Sequence, residues 1–177
     1  CWGQIDSVLA VLLVALLLLA RQGRWQAAIP VFALAVLAKP QAGLLVPLGL
    51  AALARDLVKD KASRKPIALG LLGGVLVTAV IVLPFSANQA SPLWIVDKYV
   101  ETLSSYAYAT LSTGNLMFLL GGNWTPNDQA VLGFITYGQL GMALMALSFA
   151  FGIAVYLRGQ GRKRLLLASA ATMQLVF

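Results

Sequence analysis

Two long apolar stretches joined by a short basic turn constrain this chain more than any other feature. Residues 7–20 and 25–38 are almost entirely hydrocarbon, and the segment 21–24 between them carries two arginines. A helix needs about 20 apolar residues to cross a bilayer, so each stretch reaches across only if its polar flanks enter the headgroup region. The pattern predicts two helices that cross a membrane in opposite directions, with the arginines at the turn.

The composition as a whole is that of a membrane protein. Of the 177 residues, 60% are hydrophobic and 11% are charged, which is far more apolar than a typical soluble domain. We therefore expect an all-α, polytopic transmembrane helical bundle. Six stretches are expected to cross the membrane, the last of them incompletely: residues 7–20, 25–38, 42–54, 66–85, 131–157 and 165–177.

The ends of the chain indicate a fragment. It begins at Cys1 rather than at a methionine, and it stops within an apolar stretch. We therefore expect residues 1–177 to be a single partial domain whose N- and C-terminal parts are missing.

The net charge of +7 is concentrated in three short loops, at 21–24, 55–65 and 158–164. Such loops orient membrane proteins with the basic side in the cytoplasm, so no nucleic-acid partner is expected. The chain has no histidine and one cysteine, which leaves carboxylates as the ligands for any metal ion. The cofactor stays unknown, but a divalent cation, if one is used, is expected to be Mg²⁺ or Mn²⁺.

Residues 86–132 are expected to form a loop on the outer face. Within this loop, 92–112 is expected to be an interfacial helix, because its tryptophan and three tyrosines favour the headgroup level. Residues 115–120 are apolar but too short to cross. The pair Gly121-Gly122 predicts a turn.

Residues 25–54 permit two arrangements. They could form one long kinked helix with Lys39 buried, or a hairpin with Lys39-Pro40 at its tip. Proline disfavours helical geometry in the preceding residue, so Lys39 is expected to interrupt the helix. Only the hairpin places the basic loops at 21–24 and 55–65 on the same side of the membrane, and it is therefore favoured.

A polar cluster at residues 2–6 precedes the first apolar stretch. Aspartate is a favoured N-cap residue, and capping alone could explain Asp6. Capping requires neither Trp2 nor Gln4, however, and a helix through this cluster would place Trp2 and Asp6 on one face. An indole, an amide and a carboxylate together form a surface suited to a hexose.

Lys39 is the only basic residue between the first two basic loops. A lysine at the centre of a membrane helix costs roughly 2.5–3.5 kcal/mol on insertion scales, although near a helix end it can snorkel to the interface. Alternatively, its ammonium group among apolar walls could bind a lipid-linked phosphate. Asn123 and Trp124 likewise could be a turn residue and an interfacial anchor, or ligand contacts.

These polar clusters resemble a known family. The chain is similar to polytopic glycosyltransferases of the GT-C superfamily, and most of all to bacterial relatives of the second mannosyltransferase of glycosylphosphatidylinositol-anchor synthesis. The resemblance lies in three motifs that occur in order: Trp2-Gly3-Gln4-Ile5-Asp6, Lys39-Pro40-Gln41, and Gly121-Gly122-Asn123-Trp124 with Pro126 downstream.

The resemblance implies transfer of a hexose, mannose in the relatives, from a polyprenyl-phosphate donor to a glycan or lipid acceptor on the outer face of the bacterial plasma membrane. It implies that Asp6 is a catalytic carboxylate and that Lys39 binds the donor phosphate. The other residues expected to contact substrate are Trp2, Gln4, Gln41, Asn123 and Trp124. The superfamily's main catalytic acid lies in the first outer loop, which would precede Cys1, so the chain alone is expected to be inactive.

Two other functional classes stay open. A secondary transporter or lipid-carrier flippase would use Asp6 and Lys39 as an intramembrane pair, but such proteins often contain repeated halves, and no convincing internal repeat is evident. A noncatalytic assembly subunit is the third possibility.

Overall fold

The computed structural model describes residues 6–89, 91, 93–105, 107–131, 133–159 and 163–176. These residues are mainly helical, and their β-structure is limited to isolated bridges. The α-helices are α1 Asp6–Gln22, α2 Trp25–Ala38, α3 Val46–Lys59, α4 Arg64–Ser86, α5 Trp94–Ser104, α6 Leu116–Leu119, α7 Tyr137–Arg158 and α8 Lys163–Val176. Short 3-10 helices at Pro40–Leu45 and Lys61–Ser63 precede α3 and α4.

Three helical segments are long and apolar enough to cross a membrane: Pro40–Lys59, Lys61–Ser86 and Tyr137–Arg158. Many apolar side chains of α4 point away from the protein, and Val75 and Val80 are 66% and 72% exposed. A helix that is apolar on its outward face suits contact with lipid. The all-helical class is confirmed, whereas the count of six crossings stays a prediction, since α1 has 17 residues and α2 has 14.

The chain forms two compact units, one within 1–89 and 149–175 and the other within 90–148. In the first unit, α1 and α2 form a hairpin, the first hairpin, whose turn is set by Gly23. Gly23 has φ +73°, a left-handed geometry that glycine adopts without a steric penalty. The N–H of Gly23 donates to the Ala20 carbonyl, and the N–H of Arg24 donates to the Leu19 carbonyl. This pair of bonds is a Schellman motif, which ends α1 and reverses the chain.

The chain from α2 to α3 is also a hairpin, as expected, and not one kinked helix. The indole N–H of Trp25, at the start of α2, donates to Asp56 Oδ2 at 2.8 Å, near the end of α3. Lys39 ends α2 with φ −154° and ψ 121°, which is extended geometry. The proline that follows accounts for this break. Lys39 therefore lies at the tip.

The three basic loops meet at one end of the first unit. A single buried cluster joins residues next to these loops from six helices: Ala20, Trp25, Ala52, Ile67, Tyr156 and Leu165. Arg55 extends this contact, because its guanidinium donates to the Tyr156 hydroxyl at 3.4 Å and lies 5.2 Å from the centre of the ring. The expectation that the basic loops share one side of the bundle is confirmed within this unit. We call that end of the unit the basic end.

Helices α2 and α4 run parallel and pack through glycine. Gly70 lies against the backbone of Trp25, and Gly74, one turn later, lies against Ile29. A Cβ atom at Gly70 would overlap the Trp25 carbonyl oxygen and come within 2.9 Å of Ile29 Cδ1. Small residues permit this close approach of helix backbones.

The second unit corrects two expectations about its helices. The helix expected over 92–112 ends at Ser104, because the chain from 107 to 110 instead bonds to the loop at 123–127. The crossing expected from Val131 begins at Tyr137. Residues before Tyr137 form a tight bridge, in which the N–H of Val131 donates to the Ile135 carbonyl at 2.9 Å.

Candidate functional site

The tip of the second hairpin, α2 to α3, meets the start of α1. Lys39 Nζ donates a hydrogen bond to Asp6 Oδ1, and the two side chains form an ion pair, the Asp6–Lys39 pair. The lysine side chain is 30% exposed and the aspartate side chain 48% exposed. The expectation that the two charges share one end of the bundle is confirmed. Of the roles considered for Lys39, only the transporter alternative paired it with Asp6.

Local geometry fixes both partners. Lys39 is held at the end of α2 by its N–H, which donates to the Ala35 carbonyl at 2.9 Å, and its own carbonyl accepts from Ala42. Asp6 is in the first turn of α1, where the helix dipole favours a negative charge. The pair therefore joins the ends of two helices that are 33 residues apart in the sequence.

A small apolar cluster lies beneath the pair. Its buried members come from α1, α2 and the 3-10 helix: Leu9, Leu13, Ala35, Ala42 and Leu45. This cluster packs the start of α1 against the end of α2 and the 3-10 helix, and so holds together the two helix ends that carry the charges.

The pair retains free bonding capacity. An ammonium group has three donors and a carboxylate has two acceptor oxygens, so the bond to Asp6 leaves Lys39 with two N–H groups and Asp6 with Oδ2. Lys39 can therefore still donate to a phosphate oxygen, and Asp6 can still accept from a hydroxyl. Gln41 is exposed two residues beyond Lys39 and adds an amide at this end.

The other residues expected to contact substrate are not in the described part of the first unit. Trp2 and Gln4 lie outside the described residues. Asn123 and Trp124 belong to the second unit. Asn123 Oδ1 accepts from the Ser112 N–H at 2.8 Å, which gives this residue a structural role in the loop and leaves its NH₂ group as the donor for any ligand.

Trp124 is exposed and held in an unusual backbone geometry. Its φ is +57°, which is rare for a bulky residue, and 61% of its surface is exposed. Its N–H donates to the Thr110 carbonyl at 3.0 Å, and its indole meets the Tyr108 ring edge to face at 5.8 Å. The preceding turn contains Gly121 at φ +82°, in agreement with the sequence.

Helix α5 carries the other ion pair found among the described residues. Lys98 Nζ donates to Glu101 Oε2 at 2.7 Å. This bond raises the pKa of Lys98 and lowers the pKa of Glu101, while partial burial raises the pKa of Tyr99. Because both partners are fully exposed to solvent, the pair on α5 contributes little to stability.

Sequence reasoning overlooked Asp56. This carboxylate is 8% exposed and accepts the Trp25 indole N–H at the basic end. It was hidden among the basic residues of its loop, although it follows buried Leu48 and Ala52 at spacings of four. That spacing places it on the buried face of α3 and could have identified it.

Neither a metal-ligand cluster nor a relative identifies the site. The described residues include no group of three or more carboxylate or cysteine side chains that could hold a metal ion. Comparison with family models, curated proteins and solved structures finds no match to this chain.

Proposed function

We propose that this chain is part of a membrane glycosyltransferase. In this proposal it moves a hexose from a polyprenyl-phosphate donor to a glycan or lipid acceptor, on the extracytoplasmic face of the bacterial plasma membrane. The observation that carries the proposal is the Asp6–Lys39 pair, which places a carboxylate and an ammonium group together at the end of α2 opposite the basic end. Basic loops on the cytoplasmic side would put this pair at the outer face.

The two charges suit the two demands of sugar transfer from a phosphate. As the bond between the anomeric carbon and the phosphate oxygen breaks, negative charge develops on the departing lipid phosphate, and the free N–H groups of Lys39 can stabilise it. As the acceptor oxygen bonds to that carbon from the opposite face, its proton must leave, and Asp6 Oδ2 can accept it. The products are the glycosylated acceptor, with inverted configuration, and the lipid phosphate.

Other residues would complete the site. By the family resemblance, the main catalytic carboxylate lies in an outer loop before the matched motifs, so Asp6 would assist rather than act alone. Gln41 and Gln4 would contact sugar or phosphate. Trp2 would bind the sugar or the acceptor.

The test is hexose transfer by the intact protein in proteoliposomes, with a polyprenyl-phosphate-linked hexose as donor. Asp6→Ala and Lys39→Ala are each expected to reduce turnover at least tenfold, because each removes a group that acts in the transition state. The matched controls are Lys98→Ala and Glu101→Ala, which break the exposed pair on α5 and should leave turnover within twofold.

The charge-reversed double variant Asp6→Lys/Lys39→Asp separates chemistry from structure. It rebuilds an ion pair between the same two helix ends, so the protein should unfold at nearly the wild-type temperature, but the charges face the wrong substrate groups. Turnover is expected to stay low. Recovery of turnover in this variant would mean that the pair only joins the helices, and the proposed function would be rejected.

A second candidate is favoured by the direct contact itself. A coupled carboxylate and ammonium is the arrangement expected of a secondary transporter or lipid-carrier flippase that breaks and remakes the pair during its cycle. Cysteines placed at positions 4 and 41 discriminate the two. Labelling from the outside only supports the transferase, whereas accessibility that alternates between the two sides supports transport.

A further inference from the structure

The first unit contains an apolar cavity that the proposed transfer reaction does not use. The cavity has a volume of about 220 Å³ and is bordered by α1, α2, α3, α4 and α8. Its only polar lining side chain is Ser169, whose hydroxyl already donates to the Leu165 carbonyl at 2.7 Å. A water molecule would find no partner there, and apolar cavities of about 150 Å³ are known to stay dry and to take up hydrocarbon.

The cavity begins at the basic end and continues along the first unit. It is bordered by residues from Leu16 to Ala20 on α1 and from Trp25 to Phe32 on α2, and at the start of α3 its lining reaches Leu45. The cavity thus extends from the basic interface into the bilayer. Its direction matches that of a lipid acyl chain.

Two arginines border the end of the cavity nearest the interface. Arg21 directly follows Ala20 and Arg24 directly precedes Trp25, and Ala20 and Trp25 both line the cavity. Both arginines are exposed. The nearby acid Asp56 is buried and accepts from Trp25, so it is not itself presented at the membrane surface.

We propose that this cavity binds one acyl chain of an anionic phospholipid from the leaflet at the basic end, with the lipid phosphate at Arg21 and Arg24. The apolar walls supply affinity for the chain, and the arginines supply selectivity for the charged headgroup. Each basic residue near a membrane surface contributes roughly a fivefold preference for anionic lipid. The proposed lipid site does not rest on the proposed function, because the arginines that would bind the headgroup are at the other end of α2 from the Asp6–Lys39 pair.

Gly49 offers a direct way to fill the cavity. It borders the cavity, and a Cβ atom at this position would meet no other atom within 4 Å, so Gly49→Leu can place its side chain in open space. Gly43 provides the matched control. A Cβ atom there would also meet nothing within 4 Å, but Gly43 does not border the cavity.

The experiment measures lipid binding to the intact protein in mild detergent, by native mass spectrometry and by the thermal shift that each lipid causes. The probes are phosphatidylglycerol and phosphatidylcholine with identical acyl chains. Wild type and Gly43→Leu are expected to bind phosphatidylglycerol at least tenfold more tightly than phosphatidylcholine. Gly49→Leu is expected to lower the affinity for phosphatidylglycerol at least tenfold.

The headgroup is tested separately with Arg21→Gln/Arg24→Gln. This double variant changes exposed side chains only, so it is expected to fold, and it should weaken phosphatidylglycerol binding on the order of 25-fold while phosphatidylcholine changes less than twofold. Equal affinity of wild type for the two lipids would overturn the proposal. So would unchanged phosphatidylglycerol binding in a folded Gly49→Leu protein, or in the arginine double variant.

Discussion

The close packing of α2 on α4 can be tested with a single methyl group. Gly70→Ala places a Cβ atom against the Trp25 carbonyl oxygen and Ile29 Cδ1, whereas Gly49→Ala places one in open space. Both glycines are within helices, so both substitutions carry the same gain in helix propensity. The two variants therefore differ only in what the new methyl group meets.

The two substitutions are expected to change the free energy of unfolding in opposite directions. Alanine is about 0.8–1.0 kcal/mol more favourable than glycine within a helix, so Gly49→Ala should raise the free energy of unfolding by up to this amount. At Gly70 the methyl group meets backbone, which cannot rotate away, and overpacking of this kind costs about 1–3 kcal/mol. After the gain in helix propensity is subtracted, we expect a net loss of up to about 2 kcal/mol for Gly70→Ala. Gly74→Ala should fall between the two, because its nearest neighbour is Ile29 Cγ2 at 3.3 Å.

The assay is equilibrium unfolding of the intact protein in mixed micelles with increasing sodium dodecyl sulfate, followed by helical circular dichroism. Gly70→Ala should unfold at a lower detergent fraction than wild type, and Gly49→Ala at an equal or higher one. If Gly70→Ala is as stable as Gly49→Ala, then α2 and α4 do not approach at this position and the parallel packing described here is incorrect.

Two further predictions concern one hydrogen bond and one turn. Trp25→Phe removes the donor to buried Asp56 and should cost about 1–3 kcal/mol of unfolding free energy; a double-mutant cycle with Asp56→Asn should give a coupling near 1 kcal/mol, and no coupling would contradict the bond. Gly121→Ala should cost about 1–2 kcal/mol because φ there is +82°, whereas Gly114→Ala, where a Cβ atom meets nothing within 4 Å, should be nearly neutral in the same unfolding assay.

The arrangement of the first unit was accessible from the sequence because few signals determine it. Lys39-Pro40 predicted a break, and the distribution of arginine and lysine required that break to be a hairpin tip. These two constraints brought Asp6 and Lys39 to one end without any knowledge of packing.

The second unit was less accessible because its structure depends on contacts between distant residues. Aromatic side chains favoured an interfacial helix through residue 112, but Ala109 donates to the Thr125 carbonyl at 2.8 Å and Ser112 adopts φ 55°, so the chain leaves the helix. Isolated bridges of this kind leave no periodic pattern of apolar residues, so they cannot be predicted from the sequence in the way that helices and strands can. The direct contact within the Asp6–Lys39 pair was anticipated only by the transporter alternative, because the snorkelling and phosphate-binding roles considered Lys39 alone.

The shortness of α2 has a consequence for the surrounding bilayer. Its 14 residues extend about 21 Å at about 1.5 Å per residue, whereas the hydrocarbon layer is about 30 Å thick. If α2 crosses the bilayer with its start at the level of the basic interface, Lys39 stops roughly 9 Å short of the far headgroups. The membrane around this hairpin must then become thinner, or solvent must descend to the two charges; under the proposed function, a lipid-linked donor would meet them in a depression below the level of the neighbouring lipids.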